Sequence, residues 1–133
     1  ILADGGVIEG KTVAGGSITL DTEASKIIVG LPYTFELETL SFEGENTLGK
    51  TRSINNVSMK IDKSRPDFFV TGADGVDYAI PRTLESINDA GLLFNEKVET
   101  AVVSMPDEEA TVKIKQKYPL PLTILSITAE ITM

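Results

Sequence analysis

Apolar and polar positions alternate with a period of two along most of the chain, the signature of strands that bury one face. Over 110–118, Val112, Ile114 and Tyr118 fall on one side. Thr111, Lys113, Lys115 and Lys117 fall on the other, which predicts a half-buried strand with a solvated lysine face. Over 122–133, Leu125, Ile127, Ala129 and Ile131 share a face opposite Ser126, Thr128 and Glu130. Phe35, Leu37 and Thr39 alternate with Glu36 and Glu38 in 33–41, and Val57, Met59 and Ile61 alternate with Ser58 and Lys60 in 57–61. Ile54 is out of phase with that last set, so one extra residue, a bulge near Asn55–Asn56, is expected to reset the alternation. Further strands are predicted at 17–20, 26–31, 67–71, 76–80 and 97–105.

Turn residues punctuate these runs: Asp4-Gly5-Gly6, Gly15-Gly16, Glu43-Gly44-Glu45-Asn46, Asp74-Gly75 and Pro106-Asp107. One stretch, 83–90, reads as a short helix, with Thr83 as a weak N-cap and Gly91 closing it. Pro119-Leu120-Pro121 lacks two backbone donors between two strong strands, which suits a crossover or corner. The fold class expected is all-β: an antiparallel β-sandwich or barrel-like domain, with at most one short helix near 83–90.

Length and composition narrow the possibilities. The 133 residues suit one domain spanning 1–133; alternatively, residues 1–30 form a small β piece that completes a neighbouring domain. The chain begins at Ile1 without Met or a charged leader, so it is expected to be a fragment of a longer protein. Cys and His are both absent, which excludes disulfides, thiol nucleophiles, His-based triads and most transition-metal sites. No apolar run approaches the roughly 18 residues that a membrane-spanning helix needs. The net charge of −8 argues against a free-standing nucleic-acid binder and against docking on anionic lipid.

That charge is laid out in blocks. Residues 1–49 carry net −6, 50–65 net +4, 66–109 net −8 and 110–133 net +2. Lys60, Lys63 and Arg65 form a basic cluster suited to an acidic neighbour. Only Phe68 and Phe69 flank it, too few aromatics for a nucleic-acid stacking platform.

Three strings invite chemical readings. Gly5-Gly6-Val7-Ile8-Glu9-Gly10-Lys11-Thr12 spells the phosphate-binding pattern G-x-x-x-x-G-K-[ST]. That chemistry needs a preceding buried strand and a following helix. Here four residues precede Gly5, and turn-forming Gly15-Gly16 follows, so a β-turn and strand pair is the expected structure. Asp74-Gly75-Val76-Asp77, with Asp67 upstream, offers oxygens for Ca²⁺ but not a full ligand set, and is expected to be a hairpin turn. Glu43/Glu45 and Asp107/Glu108/Glu109 sit beside Gly or Pro and are expected to be solvated loop acids. No cofactor or metal is expected.

Several segments form one ordered series: Leu2–Gly5, Val13 with Gly16–Leu20, Ile28–Tyr33 (Ile-Val-Gly-Leu-Pro-Tyr), Glu38–Leu40, Ile54 with Val57–Ile61, Gly91–Phe94 and Tyr118–Ile127 (Tyr-Pro-Leu-Pro-Leu-Thr-Ile-Leu-Ser-Ile). This order resembles the C-terminal part of the tail nozzle proteins of short-tailed bacteriophages, also called tail tubular protein B. It departs from the family at Asn95-Glu96, where Thr-Gly would follow Gly91–Phe94.

The resemblance implies a non-enzymatic structural protein of a phage or prophage tail. Its subunits form a ring that conducts DNA during ejection, in contact with one another and with tail or adaptor proteins. Duplex DNA would pass without specific binding. The location implied is the virion tail, after the host cytoplasm, with the isolated domain able to be monomeric. Lys60, Lys63 and Arg65 are then expected at a subunit interface, facing the acidic stretch 67–109 of a neighbour. The rival reading is a carbohydrate- or receptor-binding β-sandwich module, disfavoured by the absence of Trp and by only three Tyr for ring stacking.

Overall fold

A computed structural model describes residues 1–42, 49–81, 87–89, 91–103, 105–106 and 109–133. Among these residues ten strands follow in order: β1 (Leu2–Ala3), β2 (Gly6–Val7), β3 (Ile27–Ile28), β4 (Phe35–Glu38), β5 (Ser53–Ile61), β6 (Phe69–Thr71), β7 (Asp77–Ala79), β8 (Lys97–Ala101), β9 (Lys113–Gln116) and β10 (Ile124–Thr132). All pair antiparallel. They form a small sheet β2-β1-β3, a three-stranded sheet β10-β5-β8 and a four-stranded sheet β4-β9-β6-β7. The protein is all-β, and no helix occurs among the described residues. The helix expected near 83–90 falls mostly outside them; its described part, 87–89, is turn and bend.

The two larger sheets enclose the core. β5 contributes Ile54, Val57, Met59 and Ile61, and β8 contributes Val98. From the other sheet and its flanks come Phe68, Val70, Ile80, Ala110, Val112 and Ile114. Along β9 the expected alternation is present: Val112, Ile114 and Gln116 are buried, whereas Lys113, Lys115 and Lys117 are not. The expected bulge on β5 is also present. Glu130 pairs with Asn56 and Ile131 with Ile54, so Asn55 is the extra residue, and Ile54 and Val57 both turn inward.

β10 keeps its expected face at Ile127, Ala129 and Ile131 but departs from it at Leu125. Ile124 pairs with Ile61 and Ser126 with Lys60, which makes Leu125 a second extra residue. Leu125 is exposed, and Ile124 packs on the core with Ile127, Ala129 and Ile131 in its place. The strand expected at 17–20 is reduced to an isolated Ala14–Ser17 bridge, and that expected at 26–31 shortens to β3.

The N-terminal sheet docks on the main body through backbone. The Val7 N–H donates to the Ile87 carbonyl at 2.8 Å. A Cβ on Gly6 would lie 2.2 Å from the Asn88 carbonyl oxygen, so only glycine permits this approach.

Candidate interaction surface

The phosphate-loop string is a hairpin. Ala3 pairs with Gly6, leaving Asp4 and Gly5 as a two-residue turn with φ of 47° and 88°. Two successive positive φ values are the tight-hairpin geometry that Asp-Gly favours. The Asp4 carboxylate accepts the N–H groups of Ser25 and Lys26 at 2.9 and 2.7 Å, and these bonds lower its pKa. Lys11 contacts Asp21 at 2.6 Å. With no helix after Thr12, these amides do not form the phosphate cradle that the string suggests.

Asp74-Gly75 is the turn of the β6–β7 hairpin. Asp74 accepts the Val76 N–H at 3.0 Å and the Tyr78 hydroxyl at 2.6 Å. The Tyr78 bond, with that of Val76, lowers the Asp74 pKa, and the same contact raises that of Tyr78. Asp77 accepts Lys115 at 3.0 Å, Lys117 at 2.7 Å and the Thr71 hydroxyl at 2.8 Å. Lys117 first, then Lys115 and Thr71, hold the Asp77 carboxyl well below the ordinary carboxylate range. Asp67 pairs with Arg65. The three carboxylates considered for Ca²⁺ are therefore each engaged by the protein's own donors. Glu43, Glu45, Asp107 and Glu108 lie outside the described residues.

The basic cluster divides. Lys60 lies on the outer face of β5, between Ser126 of β10 and Lys97 of β8, and Lys63 is exposed just past the strand at φ 44°. Arg65 is only 1% exposed. Its Nε lies 3.2 Å from Asp67 Oδ2, and its Nη1 donates to the Asp89 carbonyl at 3.2 Å. Grouping it with Lys60 and Lys63 on one outward patch is therefore corrected: the polypeptide turns inward at Ser64–Phe68, where every residue is buried. Lys97, 37 positions downstream of Lys60, is the cation that strand pairing places opposite it. Lys97 also pairs with Glu99, which accepts the Ser58 hydroxyl, and both contacts lower the Glu99 pKa.

A different surface emerges from residues 27–40. Phe35 pairs with Gln116 and Leu37 with Ile114, so both side chains lie on the core side of the four-stranded sheet. They nevertheless remain 43% and 38% exposed. Glu36 and Glu38, on the outer side, pair with Lys115 and Lys113 at 3.8 and 3.5 Å. Upstream, Ile27, Ile28, Val29, Leu31 and Tyr33 are exposed, with Leu31 at 92%. Exposed apolar residues thus follow one another closely in sequence from Ile27 to Leu37. The alternation at Phe35 and Leu37 was legible in the sequence; the lack of cover was not, because that depends on how many strands face β4.

A cavity of about 260 Å³ opens at one end of the sandwich, floored by Val57, Val70 and Val112. Its charged rim is engaged: Arg52 donates to the Phe42 carbonyl, and Glu38 contacts Thr111 and Lys113. No group of three or more acidic side chains among the described residues is arranged to hold a metal ion. The chain matches no protein-family model and no curated protein.

Proposed function

We propose that this chain is a structural component of a phage or prophage tail nozzle, part of a ring that conducts DNA during ejection. The observation that carries the ring reading is the partly exposed apolar face of β4, which follows the exposed residues 27–33 in sequence. A ring subunit presents such a surface to its neighbour, and apolar burial holds the assembly together while charges such as Lys60 and Lys63 set register at the rim. The tail assignment rests on the resemblance of the ordered series from Leu2 to Ile127. A net charge of −8 supports a conduit that phosphates do not adhere to.

The polar atoms surveyed above are engaged in holding turns and sheet faces, which supports a structural role over a catalytic one. A sugar-binding role finds less support. The Tyr78 hydroxyl is tied to Asp74 and Tyr118 lies 6.3 Å from the Phe69 ring, which leaves Tyr33 as the tyrosine presented openly.

The test is compositional. Purified particles of the virus or prophage encoding this chain should contain it by mass spectrometry, with immunogold labelling at the distal tail. Particles with normal tails that lack the chain would refute the assignment.

A further inference from the structure

The two large sheets differ by one strand. They meet at β7 and β8, where the Thr100 hydroxyl donates to the Ala79 carbonyl at 3.5 Å. Outward from that edge, one sheet runs β7, β6, β9, β4 and the other β8, β5, β10. Counted from that shared edge, the described residues give the three-stranded sheet no fourth strand to set opposite β4, and no strand pairs with the outer edge of β10. Two deficits follow from that one missing strand. Phe35 and Leu37 stay 43% and 38% exposed on a core-side face, and Ile127, Ala129 and Ile131 on β10 are only half-buried. Past the bulge at Leu125, β10 carries little of the charge or proline that usually blunts an open edge: its nine residues contain one charge, Glu130, and no proline.

We propose that residues 29–34 of a second copy of this chain add to the free edge of β10, completing the short sheet and covering Phe35 and Leu37. The segment Val-Gly-Leu-Pro-Tyr-Thr is uncharged and exposed throughout. Extended, it places Val29, Leu31 and Tyr33 on one face, where they supply the missing core layer. The backbone groups of residues 29, 31 and 33 then point to one neighbouring strand, and those of 30, 32 and 34 point away. Pro32, which has no N–H, falls on the outward side, the position an edge strand tolerates. The segment is held at both ends, by β3 on β1 and by β4 on β9, so it is presented rather than trailing.

The donor is a second copy because residues 29–34 cannot fill the site of their own chain. Facing sheets stand about 10 Å apart. Tyr33 and Phe35 are two residues apart, and that span reaches at most about 7 Å. Tyr33 therefore cannot enter the sheet opposite while Phe35 remains in β4. A donor on one side and an acceptor on the other make a head-to-tail contact, which closes into a ring when the rotation permits.

This inference deepens the ring reading and is tested on the isolated chain. One variant, L31D with Y33D, disables the donor at residues already exposed. The other, F35D with L37D, disables the acceptor; L37S replaces it if circular dichroism shows that the double variant has lost its fold. Sedimentation is followed over a concentration series reaching about 1 mM, so that a contact with a Kd of about 1 mM or tighter is detected. The wild-type chain should associate with rising concentration, and each variant alone should stay monomeric. Their equimolar mixture should form heterodimers and nothing larger, with amides of β10 slowed in hydrogen exchange. A wild-type chain that stays monomeric, a variant that associates like wild type, or a mixture that stays monomeric would overturn strand donation. Those outcomes leave the tail assignment to the particle composition, which tests it separately.

Discussion

Arg65 and Asp67 are two residues apart and fill one buried corner, with side chains 1% and 4% exposed. The corner ties three segments together, because the Arg65 side chain also reaches the Asp89 carbonyl and its N–H donates to the Pro121 carbonyl at 2.9 Å. Removing one member of a buried pair strands the other charge. Asp67→Ala should therefore cost about 3–5 kcal/mol in urea unfolding. A cost near zero would mean that water reaches the guanidinium. On the surface, Asp77 accepts two lysines and a threonine, and its pKa lies far below that of a free Asp. A lowered folded-state pKa stabilises the fold above the unfolded value of about 3.9, and that contribution is lost as pH falls below it. Melting temperatures at pH 7 and pH 3 should therefore fall further for wild type than for Asp77→Asn. Equal falls would show that the lysines do not hold this carboxylate in solution.

At the scale of the element, β5 and β10 show what the sequence could reveal. The β5 bulge was legible because polar Asn55 and Asn56 separate Ile54 from the Val57-Met59-Ile61 series, so the phase break is visible. The β10 bulge was not. Leu125 continues the alternation to Ile127 without a break, and because Ile124 beside it is also apolar no polar residue marks the extra position; only the pairing with Ile61 and Lys60 shows that Ile124 takes the inward place. Leu125→Ala should cost within about 0.5 kcal/mol, as an exposed substitution does. Ile127→Ala, half-buried against the core, should cost about 2 kcal/mol, the low end for such truncations. Equal losses in urea titrations would place Leu125 inside and remove the bulge. The strand expected at 17–20 failed for another reason: Ser17 to Leu20 alternates, but among the described residues no neighbouring strand takes up its hydrogen bonds beyond the bridge to Ala14.

At the scale of the whole molecule, the charge blocks and the apolar edge carry different information. The blocks at 50–65 and 66–109 read as complementary surfaces in sequence, yet Arg65 of one and Asp67 of the other pair within the chain. Block charge records neighbours in sequence, whereas the fold decides which charges meet. The face at Phe35 and Leu37 is the converse case: ordinary half-buried alternation in sequence leaves both residues partly exposed, because among the described residues one sheet has a strand more than the other, and this is the face proposed above as a contact surface.

The most direct measurement is a reconstruction by electron cryomicroscopy of the tail of the virus or prophage encoding this chain. It should show copies of this β-sandwich around the tail axis, each with its β4 and β10 edge covered by the next copy. A distal tail built without this fold, or copies whose β4 and β10 edges face open solvent, would contradict the account.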